Sequence, residues 1–161
     1  LEIKEVKVSR LAEYGAEVSA ESIRLSPPQE KAMDSVKEQW KDFPAVLLHG
    51  VTGGGKTEIY IKLIDQVLLE GKQVLYLLPE IALTSQIVNR LRKYFGDRVG
   101  VYHSRFNEYE RVEIWNRVLH DEPGKEGKYQ LILGARSALL LPYQDLGLII
   151  VDEEHDPSYK Q

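Results

Sequence analysis

The sequence predicts an α/β fold, three-layer αβα, built around a mainly parallel sheet. Continuous apolar runs alternate with amphipathic stretches, a glycine-rich loop stands between one run and a helix-forming stretch, and the last run ends in a cluster of acids. Runs that are apolar at every position suit strands covered on both faces, the situation in a parallel sheet with helices on each side. The 161 residues, 43% hydrophobic, supply one packed core and fall short of two ordinary domains.

Residues 1–24 carry scattered apolar positions and many charges with no sustained period, and are expected to be a linker or the tail of an upstream domain. Ser26 then caps a helix with Pro27 in its first turn, and Met33, Val36, Lys37 and Trp40 follow at helical spacing up to Asp42-Phe43-Pro44. Ala45-Val46-Leu47-Leu48 reads as a strand entering the glycine-rich loop. Beyond that loop the expected elements are a helix, a strand at Gln73–Leu78, a helix at Ala82–Phe95 and a strand at Val99–Tyr102. A helix at Glu108–Leu119 follows, then strands at Gln130–Leu133 and Leu148–Val151, with Asp121–Lys128 as an exposed charged loop. Right-handed crossovers would gather the strand C-terminal ends along one edge, where ligands bind in such sheets.

Gly50-Val51-Thr52-Gly53-Gly54-Gly55-Lys56-Thr57 is a complete G-x-x-x-x-G-K-[ST] phosphate-binding loop. Small residues are needed because the backbone N–H groups wrap a polyphosphate, and an inward Cβ would hold the phosphates away. Lys56 adds charge at the β- and γ-phosphates, and the Thr57 hydroxyl is a ligand for Mg²⁺. The following helix directs its unpaired N–H groups at the same anion. A dinucleotide-binding reading fails, because glycines at 50, 53, 54 and 55 contain no G-x-G-x-x-G. The second nucleotide motif is Leu146-Gly147-Leu148-Ile149-Ile150-Val151 running into Asp152-Glu153-Glu154-His155. Asp152, first after the strand, suits Mg²⁺ held through its water shell; Glu153 is placed to polarise an attacking water. The pair of motifs predicts a P-loop NTPase of RecA-like architecture that binds a nucleoside triphosphate with Mg²⁺.

Formal net charge is −4, so composition announces no nucleic-acid partner. Ser85–Arg117 holds seven Lys/Arg against four acids, an excess that a solvated helix face also explains. There are no cysteines, which excludes disulfides and thiolate metal sites within this chain. No stretch approaches the roughly 18 apolar residues of a membrane span, and the expectation is a soluble cytoplasmic domain with no membrane partner.

Asp-Glu-Glu-His after an apolar strand resembles motif II of the superfamily 2 helicases, the DEAD/DEAH-like group. That resemblance gives roles to other segments. Gln29 in Leu25-Ser26-Pro27-Pro28-Gln29 resembles the glutamine that reads adenine, for which it has a donor and an acceptor. Pro79-Glu80-Ile81-Ala82-Leu83-Thr84-Ser85-Gln86 resembles motif Ia and Gly134-Ala135-Arg136-Ser137-Ala138 motif Ib, loops that contact the DNA backbone in the superfamily. Thr84, Arg136 and Ser137 are thereby implied as DNA contacts, joined by Ser104 of Tyr102-His103-Ser104. From the residues alone, Thr84 reads equally well as a helix cap, Arg136 as a surface cation and Gln29 as a residue of a helix N-terminus.

The strings Gly-Val-Thr-Gly-x-Gly-Lys-Thr-Glu, Leu-x-Pro-Glu-Ile-x-Leu-Thr, Arg-Ser-Ala-Leu, Leu-Gly-Leu-Ile-x-Val-Asp-Glu-Glu-His-Asp and Ser-Tyr-Lys-Gln narrow the resemblance to the PriA family of bacterial replication-restart helicases. The likeness runs from about Leu25 to Gln161. It implies the first motor lobe of an ATP-dependent 3′→5′ helicase that acts on branched or single-stranded DNA. Primosome proteins and single-stranded DNA-binding protein are its implied partners in the full-length protein. Glu154 and His155 would couple nucleotide to neighbouring elements, and Tyr159 would stack in a DNA-sensing loop. Gly54 stands where that family usually carries Ser, and Ala135 where it carries Thr, one hydroxyl fewer on the DNA side. Motif III, the second lobe, its catalytic arginine and the family's zinc-binding cysteines are not in these 161 residues, so the fragment alone is expected to be nearly inactive. A double-stranded DNA translocase and a non-catalytic nucleotide-binding module are the competing readings.

Overall fold

The computed structural model describes residues 14–49, 55–119 and 127–153. Among these, the helices are α1 (Pro27–Gln39), α2 (Gly55–Leu69), α3 (Ser85–Phe95) and α4 (Glu108–Leu119). The strands are β1 (Gln73–Leu77), β2 (Val99–Tyr102), β3 (Leu131–Gly134) and β4 (Leu146–Val151). They form one sheet in the order β2-β3-β1-β4, and every neighbouring pair is parallel. The αβα, mainly parallel expectation holds.

Alternation of side chains along the strands divides the core between two faces. Val74 and Tyr76 of β1 pack with Leu131 and Leu133 of β3 against Tyr60, Ile61 and Ile64 of α2 and Leu91 and Phe95 of α3. On the opposite face Leu75, Leu77 and Ile132 meet Ile114 and Val118 of α4. A third cluster, Met33 and Val36 with Ile59 and Leu63, fixes α1 on the far side of α2. Each such side chain contributes about 1.5–3 kcal/mol when fully buried. β1 and β3 are buried at every position because the strand order places them inside the sheet.

Local chemistry sets the boundaries. The Ser26 hydroxyl accepts from the Gln29 N–H while Gln29 Oε1 accepts from the Ser26 N–H at 2.7 Å, a reciprocal cap at the start of α1. The helix expected from Ala82 begins at Ser85 instead, because Thr84 takes the N-cap position and Glu80–Ala82 forms a separate 3₁₀ turn. The Gln73 side chain is buried, and it is satisfied. Its amide donates to the carbonyls of Val118 and Tyr129 and accepts from the Gln144 N–H at 2.8 Å.

One further expectation changes. Ala45–Leu48 is not a strand: Val46 and Leu48 lean on the α1–α2 cluster, Leu47 is 68% exposed, and the segment joins no ladder. An extended segment becomes a strand only against a partner edge. Here a groove of about 1010 Å³ is lined by Phe43–Leu48 and by β4. For the same reason β4 is not covered as β1 is, and its Leu146, Ile149 and Val151 stay exposed. The described part of the presumed linker, in turn, is docked on the lobe. Ala20 is buried in the main core, the N–H groups of Glu17 and Val18 donate to the Lys93 carbonyl, and the Arg98 guanidinium lies 4.5 Å from the centre of the Tyr14 ring. No helix among the described residues is long and apolar enough to cross a membrane.

Candidate active site

Parallel register brings the strand ends level. Leu77 of β1 pairs with Gly134 of β3 on one side and Val151 of β4 on the other, and Gly134 pairs with Tyr102 of β2. The segments that follow these strands therefore leave the sheet along one edge: Leu78–Thr84, His103–Asn107, Ala135–Leu140 and Asp152–Glu153. Sequence motifs scattered over 74 positions, Leu78 to Asp152, become neighbours through topology.

Gly55, Lys56 and Thr57 form the first turn of α2 and are half-exposed. Gly50, Val51, Thr52, Gly53 and Gly54 lie outside the described residues. Gln29 reaches this turn from α1: its Nε2 donates to the Gly55 carbonyl at 3.0 Å and to Glu58 Oε2 at 2.8 Å. Its two amide protons are thereby committed, and its oxygen serves the helix cap. An adenine edge would exchange one of these donors.

Asp152 extends the β4 ladder by one rung, its N–H donating to the Leu77 carbonyl at 3.0 Å. Its carboxylate accepts from two directions: Oδ2 from the Tyr76 hydroxyl at 2.8 Å, and Oδ1 from the Glu153 N–H at 3.0 Å. Burial, then the neighbouring Asp152 charge, push the Tyr76 phenol far above its ordinary range, so it remains a donor. The Tyr76 ring meets Tyr60 edge to face with centroids 5.7 Å apart. Tyr60 is one helical turn beyond Lys56, so a ring contact and a hydrogen bond tie α2 to Asp152. Glu153 adopts φ +52, a left-handed conformation that costs a residue with a Cβ about 1–2 kcal/mol. The chain turns away from the strand direction at the candidate water-polarising residue. Glu154, His155 and Tyr159 lie outside the described residues.

Along the same edge, Thr84 accepts from the Ile87 N–H at 3.5 Å and so acts as the α3 cap. Glu80 Oε1 accepts from the Ser104 N–H at 3.2 Å, and those Ser104 bonds hold the Glu80 carboxyl below its ordinary range. Arg111 donates to the carbonyls of Ser104 and Phe106, at 2.9 and 3.0 Å, while His103 stacks on Phe106 with centroids 4.0 Å apart. The loop carrying Ser104 is thus braced from the 3₁₀ turn after β1 and from α4. Arg136 is exposed at the start of a 3₁₀ turn. Ser137 follows on the same turn, its Oγ buried and without a hydrogen bond. The turn lies tight over Gly134, where a Cβ would sit 2.4 Å from the Ala138 Cβ.

Sequence reasoning missed Tyr76, Tyr60, Glu80 and Arg111. A lone tyrosine in an apolar strand was the available signal, since a buried phenol needs a partner. As for the metal, no group of three or more His, Cys, Asp or Glu that could hold an ion occurs among the described residues. The oxygen donors of Thr57 and Asp152 nevertheless fit Mg²⁺, which takes one or two protein ligands and completes its shell with phosphate and water.

Comparison with known proteins agrees with this geometry. The model of the DEAD/DEAH box helicase family matches residues 26–161. The chain is 43% identical over 143 residues to replication restart protein PriA of Bacillus subtilis, covering 88% of this chain and 17% of that protein. It is 41% identical over 159 residues to the PriA of Synechocystis, covering 99% and 18%, and 46% identical over 119 residues to that of Haemophilus influenzae, covering 74% and 16%. The chain spans less than a fifth of the length of these relatives. A match running from the α1 cap past the acids of β4, on a parallel sheet that carries those acids beside the phosphate-loop helix, has one reading: the chain belongs to the DEAD/DEAH box helicase family, whose members bind ATP with Mg²⁺.

Proposed function

We propose that this chain is the ATP-binding first motor lobe of a PriA-type replication-restart helicase, with residues 1–24 leading in from an upstream DNA-binding domain. The observation that supports it most directly is the link from α2, the helix whose first turn holds Lys56, through its Tyr60 and Tyr76 of β1 to Asp152, 96 positions beyond Lys56. In this reading the backbone of Gly50–Gly55 and the Lys56 ammonium hold the triphosphate, and Gln29 reads the adenine. Thr57 and Asp152 hold Mg²⁺, which when bound neutralises charge developing on the phosphates. Glu153 orients and deprotonates the attacking water. Thr84, Ser104, Arg136 and Ser137 face the DNA backbone, with Tyr159 stacking beyond them, while Glu154 and His155 pass the state of the nucleotide to the rest of the motor.

DNA is the proposed partner, branched or single-stranded, and primosome proteins and single-stranded DNA-binding protein are the proposed protein partners of the full-length chain. Zinc belongs in this proposal to segments outside these 161 residues, since no cysteine is present. The site of action is the bacterial cytoplasm.

The test is ATP turnover and unwinding of forked DNA by the full-length protein. Lys56→Ala and Glu153→Gln are each expected to lower DNA-stimulated kcat by at least about 10²-fold, with Glu153→Gln still binding nucleotide. Unchanged turnover in both variants would make the lobe a non-catalytic nucleotide module. Turnover with movement along duplex DNA but no strand separation would make it a translocase.

A further inference from the structure

We infer that Tyr76 is a positioning residue for the carboxylate of Asp152. The inference rests on the reading of Asp152 as a Mg²⁺-holding residue and adds to it the group that fixes its geometry. Asp152 stands just beyond the last residue of β4, where an aspartate side chain has several open rotamers. The Tyr76 hydroxyl, 2.8 Å from Oδ2, selects one of them together with the Glu153 N–H at Oδ1.

Tyr76 is well built for this. It is fully buried, and its backbone is held in the sheet on both sides, opposite Leu133 of β3 and Ile150 of β4. The ring is further confined by Tyr60. A phenol so confined carries its hydroxyl on a rigid arm, and a neutral donor orients a carboxylate without competing with a cation for its charge. The position serves no packing purpose that phenylalanine would not serve. The hydroxyl alone is therefore what the site uses, and burying it without a partner would cost about 1–3 kcal/mol.

The test is Mn²⁺ binding followed by electron paramagnetic resonance, with saturating ADP and the full-length protein in wild-type, Tyr76→Phe, Asp152→Asn and doubly substituted forms. Tyr76→Phe is expected to weaken Mn²⁺ binding by about tenfold, as loss of an outer hydrogen bond to a metal ligand does. Metal-free ADP binding and the melting temperature should stay near wild type, and the same change on the Asp152→Asn background should have no further effect. Equal Mn²⁺ binding by Tyr76→Phe and wild type, or an equal loss with Asn at 152, overturns the inference while leaving Asp152 in its role. Wild-type Mn²⁺ binding by Asp152→Asn overturns the underlying reading and the inference with it. Should the Phe variant not fold, 3-fluorotyrosine at position 76 gives a second readout: its ¹⁹F resonance should move when Mg²⁺ joins ADP but not with ADP alone, and a resonance indifferent to Mg²⁺ overturns the inference.

Discussion

Gln29 shows how one side chain acquires more roles than its motif suggests. The Ser-Pro-Pro-Gln spacing made its capping function legible, because both halves of a capping box lie within four residues. Its bonds to Gly55 and Glu58 were not, since they cross 26 and 29 positions of chain. Glu80 is the same kind of residue. The sequence placed it in a DNA-facing loop, whereas the fold uses its carboxylate to hold the Ser104 amide. Because hydrogen bonding lowers its folded pKa, this tether is at full strength above the unfolded value of 4.5 and is lost as pH falls through the lower, folded value. The Ser104 amide resonance is therefore expected to titrate below pH 4.5 in wild type and to be flat in Glu80→Gln. A flat profile in wild type would show that the bond does not persist in solution.

At the scale of elements, the boundaries follow caps and turns as much as hydrophobic period. α3 begins where Thr84 can accept the Ile87 N–H, three residues after its apolar pattern starts. It ends at Gly96, whose φ of +55 and whose contact with the Tyr14 carbonyl leave no room for a side chain: a Cβ there would lie 1.6 Å from that oxygen. The same turn receives residues 14–18, as the Asp97 N–H donates to the Tyr14 carbonyl at 2.6 Å. Gly96→Ala is expected to destabilise the lobe by about 2–4 kcal/mol, combining left-handed strain with the clash. It should also open the chain before Ala20 to protease at concentrations that leave wild type intact. Wild-type melting and proteolysis would count against this account of the strap. The failure of Ala45–Leu48 to form a strand belongs here too. Its apolar run reads as a strand, but pairing is a property of two segments and cannot be read from one.

For the molecule as a whole, strand order decides the chemistry. The order β2-β3-β1-β4 sets Leu77 between Gly134 and Val151, so three loops of different sequence position open on one edge. The groove beside β4 and the exposed Ile149 and Val151 leave the other flank of the acid strand uncovered within the described residues. Under the proposed function a catalytic arginine comes from a second lobe, and its absence in related NTPases costs 10³–10⁵ in rate. The 161-residue chain by itself is expected to show DNA-stimulated ATP turnover at least about 10³-fold below that of the full-length protein. Comparable rates measured side by side would mean that this lobe supplies its own transition-state stabilisation.

The sequence alone determined the layer architecture, the helices at Pro27–Gln39 and Glu108–Leu119, and the residue types of both nucleotide motifs. These are local properties, carried by periodicity, caps and spacing within a few turns of chain. Only the tertiary structure decided that Ala45–Leu48 stays off the sheet and that Tyr76 meets Asp152 across 76 positions of chain. Those contacts depend on which strand lies beside which. A side chain's partner is then chosen by the packing of distant segments, and no local pattern encodes it.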